Sequence, residues 1–122
     1  MAAPNLVNVT SILGKQHGVN LDTTVTTSLL ANASSSNKLY KINSIIVANV
    51  DGTNSADVTI SWYNGSNDHY IGKTVAVPPD TTLVLIGKDS MIYLEEGQSI
   101  RGGASANSDL SALICYEILD DA

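Results

Sequence analysis

Between Asp57 and Asn64 apolar and polar positions alternate without a break. Val58, Ile60 and Trp62 fall on one face and Asp57, Thr59, Ser61 and Tyr63 on the other, the period of a half-buried strand. A charge at Ile60 is therefore expected to unfold the protein, and one at Thr59 to be tolerated. From Lys38 to Val50 the even positions Tyr40, Ile42, Ile46, Ala48 and Val50 share a face. The two runs are separated by Asp51-Gly52-Thr53-Asn54-Ser55, residue types that accept tight turns, so the pair predicts a hairpin. The same grammar predicts strands over residues 5–13, 18–31, 38–50, 56–64, 68–77, 81–87, 90–95, 97–102 and 110–119. Breakers lie between them at residues 64–67, Pro78-Pro79-Asp80, Gly87-Lys88-Asp89, Gly97 and 102–109. No capped segment carries a helical stripe. Many short strands with turn signals between them imply an all-β fold, a jelly-roll-like antiparallel β-sandwich. It forms one domain over residues 1–122, with about residues 1–13 as an extended N-terminal arm.

Two strands depart from the one-sided pattern. Ile45 and Val47 lie opposite the even face of their strand, and Leu113 and Cys115 lie opposite Leu110, Ala112, Ile114, Tyr116 and Ile118. A strand apolar on both faces is normally covered on both. The second cover comes either from another segment of the chain, such as the N-terminal strand, or from a neighbouring subunit. Under the second alternative Ile45, Val47, Leu113 and Cys115, with Leu6 and Val7 in the arm, are interface residues.

Charge narrows the range of partners. The chain has 122 residues and a formal charge of -6, from 12 acidic against 6 basic side chains. The basic ones are scattered at Lys15, Lys38, Lys41, Lys73, Lys88 and Arg101. Nucleic acid requires a clustered basic face, so neither nucleic acid nor an anionic membrane is an expected partner. The apolar fraction is 43%, with no Phe and one Trp, which leaves a core of Ile, Val, Leu, Ala and Tyr. The single Cys115 forms no intrachain bridge, and no secretory pattern opens the sequence, which points to synthesis in a reducing cytoplasm.

Candidate chemistry is sparse. His17 and His69 show no metal-ligand spacing, and the Asp68-His69 neighbours read as a loop rather than a catalytic dyad. Cys115, placed mid-strand among apolar residues, reads as structural. Glu95-Glu96 and Asp120-Asp121 are adjacent pairs, which in extended chain point to opposite faces and do not converge as an acid/base couple. The oxygens at 51–54 lack calcium-loop spacing, and GQSIRGG at 97–103 matches no phosphate loop. Asn-x-Ser/Thr triplets begin at Asn8, Asn32 and Asn64, as chance allows in so polar a chain. No catalytic, metal or cofactor residue is assigned. The aromatic and polar residues around the 64–67 loop, Tyr63, Asn67, Asp68 and Tyr70, form a candidate ligand platform, because aromatic faces beside amide and carboxylate groups hold sugars. Trp62 falls on the core face.

The stretch KINSIIVANVDGTNSADVTISWYN at 41–64, with TVAVPPDTTLVLIGKDSMIYLEEGQSIRGGASANSDLSALICYEIL at 74–119, resembles small structural proteins of tailed bacteriophages. The resemblance spans roughly residues 38–119 and rests on the IIVANVDG strand and turn, the double-proline turn, the IYLEEGQSIRGGASA segment and the closing ALICYEIL strand. It implies a non-enzymatic β-sandwich subunit of the virion, attached to the capsid as a decoration (cement) protein. It further implies a homo-oligomer, a trimer by preference, with the major capsid protein or other virion proteins as partner. The alternative is a tail or fibre component, or a carbohydrate-binding module for host recognition with a glycan as ligand.

Overall fold

The structure, a computed structural model, describes residues 11–87, 89 and 92–120. Leu6 and Val7, with most of the expected arm, lie outside the described residues. The strands are β1 (Ser11–Asn20), β2 (Ser28–Ala31), β3 (Lys38–Asn49), β4 (Ala56–Tyr63), β5 (Asp68–Val77), β6 (Thr82–Ile86), β7 (Ile92–Leu94), β8 (Ser99–Ala104) and β9 (Leu110–Asp120). From β3 onward every strand lies within two residues of its expected bounds. The first two do not. Gly14, just past the end expected for the first strand at residue 13, sits inside β1 opposite Glu117, where an edge strand needs only its backbone to pair. Residues 22–27 leave the strand because Asp22 Oδ1 accepts hydrogen bonds from Thr24 N at 2.9 Å and Thr27 Oγ1 at 3.1 Å, a side-chain substitute for strand pairing.

All pairings are antiparallel and fall into two sheets. One runs β1-β9-β3-β6, with β7 following β6 along the same side of β3, and the other runs β2-β8-β4-β5. The partners are nested: β1 with β9, β2 with β8, β3 with β6 and β7, β4 with β5. A long hairpin with that nesting, rolled into two facing sheets, is a jelly roll. The roll also removes the expected β3–β4 hairpin, since these strands occupy different sheets. Residues 51–55 are the crossover between layers. Asp51 Oδ1 accepts from Thr53 N at 2.8 Å and Asn54 N at 3.3 Å, and these backbone donors hold the Asp51 carboxyl below its ordinary value. Asn49, 3% exposed, fastens the crossover from inside by donating to Asn54 O at 3.0 Å and Val77 O at 2.8 Å.

The core lies between the sheets. Ile42, Ile45, Val47, Leu94, Leu110 and Ile114 meet Val58, Ile60, Val77 and Ile100 there. Ile45 and Val47 are 0% exposed, which corrects their assignment as interface residues. The cause is a β-bulge. Ile42 pairs with Tyr116 and Ser44 with Cys115, so Asn43 is an extra residue with no partner on β9. One inserted residue reverses the parity of a strand. Ile42 points inward before the bulge, and Ile45, Val47 and Asn49 do so after it, while Ile46 and Ala48 are turned out. Val50, expected on the core face, is 63% exposed. Tyr40 and Tyr116 stack at 5.4 Å beside the core, and burial, with Tyr40 adding to it, raises the Tyr116 hydroxyl above its ordinary value.

Candidate interaction surfaces

On the outer face of the first sheet the Cα partners Gly18, Leu113, Ile46 and Val84 form one row across β1, β9, β3 and β6. Leu113 and Ile46 are half-buried and Val84 is 60% exposed. A Cβ on Gly18 would stand 3.9 Å from Leu113 Cδ1, so the bare glycine leaves room for the leucine at the end of the row. Ala48 lies in the next row of the same face, between Ser111 and Thr82. Toward the bulge the surface turns polar. Lys41 Nζ lies 3.8 Å from Glu117 Oε1, and Asn43 Nδ2 donates to that same oxygen at 3.1 Å. The face is thus apolar at one end and polar at the other.

Leu113 and Cys115 sit on this outer face, on the opposite side of β9 from the core residues. Cys115 is half-buried between Gln16 and Ser44. The structure therefore joins Leu113 and Cys115 on one surface and replaces Ile45 and Val47 there by Ile46 and Ala48. Only the bulge separates the two readings, and a lone Asn43 in an otherwise regular strand gives no sequence signal for it.

The platform residues occupy the outer face of the second sheet. Tyr63 pairs with Asp68, and Ser61 with Tyr70 and Arg101, so these five side chains form a cluster. Ser61 Oγ donates to Asp68 Oδ1 at 3.0 Å. Arg101 Nε donates to Thr26 O at 3.0 Å and lies 3.5 Å from Asp68 Oδ1. The guanidinium carbon stands 4.2 Å from the centre of the Tyr63 ring, and Lys73 Nζ stands 5.0 Å from that of Tyr70. One face of each ring is thus occupied by a cation. Asn67 belongs to the turn, with Asn67 N donating to Asn64 Oδ1 at 2.8 Å. Arg101 is the member of this cluster that the alternation pattern does not reveal, because it is brought in by β8 from the far end of the chain.

The same face corrects the expectation for Thr59. It is 6% exposed and Thr59 Oγ1 accepts from Thr74 N at 3.1 Å. The neighbouring β8 is covered by the 22–27 turn: a Cβ on Gly103 would meet Thr24 O at 2.7 Å and Asp22 O at 2.8 Å. The double glycine at 102–103 serves close packing of backbone on backbone.

His17 on β1 and His69 on β5 belong to different sheets. Among the described residues no three His, Cys, Asp or Glu are placed to hold a metal ion. Glu96 Oε2 accepts from Asn37 N at 3.3 Å, and Glu95 N donates to Gln98 Oε1 at 2.9 Å, so this pair shapes the turn into β8. Asn32, 1% exposed, donates to Lys38 O at 2.8 Å and Leu94 O at 2.9 Å, a structural hub rather than a glycosylation acceptor. A cleft of about 250 Å³ opens between Leu39, Trp62, Tyr93, Glu95 and Gln98. Trp62 packs partly buried against the core, as its periodicity implies.

The fold and its faces define an all-β jelly roll, with an apolar row on the outer face of one sheet and a polar and aromatic cluster on that of the other. No family model and no curated protein matches the chain. Solved structures do. Two crystal structures of a pentameric capsid protein isolated from metagenomic phage sequences are similar to it, each at 16% identity with a TM-score of 0.45. The match covers 98% of this chain and 66% of the chain in the first structure, 68% in the second.

Proposed function

We propose that this chain is a non-enzymatic structural protein of a phage virion, a decoration (cement) subunit that docks on the assembled shell and stabilises it. The observation that carries this reading is the apolar row Leu113, Ile46 and Val84 on the outside of the first sheet. These side chains lie outside the hydrophobic core, on the face turned away from it. The sequence resemblance to tailed-phage structural proteins supplies the kind of partner: the major capsid protein or another virion protein. A subunit that binds only the assembled lattice stabilises it by mass action, in proportion to its binding free energy. The acidic charge of -6 keeps such a subunit from gripping the genome. Residues 2–8 would act as an arm that adds backbone hydrogen bonds to a neighbouring sheet edge.

Co-sedimentation with shells of the phage that encodes the chain tests the proposal. Wild-type protein is expected to pellet with shells, and Ile46→Asp to stay in the supernatant while remaining folded. Failure of the wild-type protein to bind would overturn the cement role.

The glycan reading rests on the gathering of Tyr63, Asp68 and Tyr70 on one face. Arg101 and Lys73 already engage the two rings, so a sugar would share or displace them. Under the cement reading a glycan array shows no binding, and saturable binding lost in Tyr70→Ala would favour a tail or host-recognition role instead.

A further inference from the structure

The edges of the two sheets are unequal. β2 has 4 residues and a register shift against β8, and β5 carries two shifts against β4. The outer side of β3 is met by separate pieces of 5 and 3 residues, β6 and β7. Short, bulged and broken edges are how sheets avoid pairing with other chains. β1 has none of these protections. Its 10 residues follow β9 in unbroken register from Ser11 to Asn20, with no strand on the other side among the described residues. It contains no proline, and Lys15 is its one Lys, Arg, Asp or Glu. Ile12 and Leu13 on it are 62% and 52% exposed.

We infer that β1 is a pairing edge through which two copies of this chain join, antiparallel, about a two-fold axis at Gln16. The occupant follows from the strand's own sequence. A two-fold axis relating antiparallel strands stands perpendicular to the sheet, so residues brought opposite each other share a face. An axis at Lys15 would oppose two lysines, which is destabilising. An axis at Gln16 avoids that. Lys15 then faces His17 of the second copy, Gly14 faces Gly18, and Leu13 faces Val19. Leu13 and Val19 both lie on the inward side of β1, opposite Ile118 and Ala112 of β9. The exposed leucine thus gains an apolar cover, and the two first sheets become one. The contact is independent of the shell-docking face, since the Leu113, Ile46 and Val84 row stays on the outer surface.

Sedimentation equilibrium of the full chain at micromolar concentration is expected to give a dimer. Gln16 is exposed, so Gln16→Lys should leave the circular dichroism spectrum unchanged while weakening association about tenfold through the opposed charges. In a Cys115→Ser background, needed because Cys115 is the β9 partner of position 16, Gln16→Cys should cross-link two copies under mild oxidation. A monomer, a trimer or pentamer, or a dimer indifferent to Gln16→Lys would overturn the inference. So would a dimer that survives Gln16→Lys and dissociates on removal of residues 2–8, a result that assigns the edge to a neighbour's arm. None of these outcomes depends on shell binding, so the two proposals fail separately.

Discussion

Ile45 and Ile46 are neighbours in sequence with opposite surroundings. Ile45 is 0% exposed in the core, while Ile46 lies between Leu113 and Val84 on the outer face. Ile45→Asp buries an unpaired carboxylate and should cost on the order of 4 kcal/mol or more. Ile46→Asp should stay within about 1 kcal/mol, as surface changes do. Urea denaturation of both variants checks the pair, and equal losses would mean that the outer face is also covered. Uninterrupted alternation made Val58, Ile60 and Trp62 legible from sequence as the inward face of β4. It failed at Thr59, whose outward side is closed by its neighbours, because periodicity reports which way a residue points and not what lies above it. Asn32 was read from its triplet as chance; its role as a hub appears only when β7 arrives from 62 residues away.

At the scale of elements, strands bounded by Gly, Pro and Asn clusters were legible because those residues set backbone geometry locally. β1 was misplaced, since an exposed edge strand needs no apolar pattern and tolerates Gly14 and Gly18. The bulge in β3 was invisible for a different reason: both parities of that strand carry apolar residues, so the sequence permits either register and only pairing with β9 selects one. Deleting Asn43 tests this. The strand would regain uniform alternation and one half would turn its core residues outward. The variant should lose its cooperative thermal transition, whereas Asn43→Ala, which keeps the backbone count and forfeits only the hydrogen bond to Glu117, should retain it.

For the whole molecule, the all-β sandwich was expected from repeated strands and turns. The order β1-β9-β3-β6 and β2-β8-β4-β5 was not, because nested pairing joins chain ends that share no local signal. The crossover at residues 51–55 shows the difficulty: Asp51, Gly52 and Asn54 suit a hairpin and a layer change equally well, and the choice is made by β9 on one side and β8 on the other. The two-sided strands were legible in the sequence, and Leu113 and Cys115 do point away from the core. Their counterparts on β3 moved by one residue. The cement role proposed above requires the outer face of the first sheet to hold the protein to an assembled shell and stabilise it. The most direct measurement is the disruption temperature of shells heated without added protein, with the wild-type chain, and with Ile46→Asp. The disruption temperature is expected to rise with the wild-type chain and to stay unchanged with the variant; shells that come apart at the same temperature in all three samples would rule the cement role out.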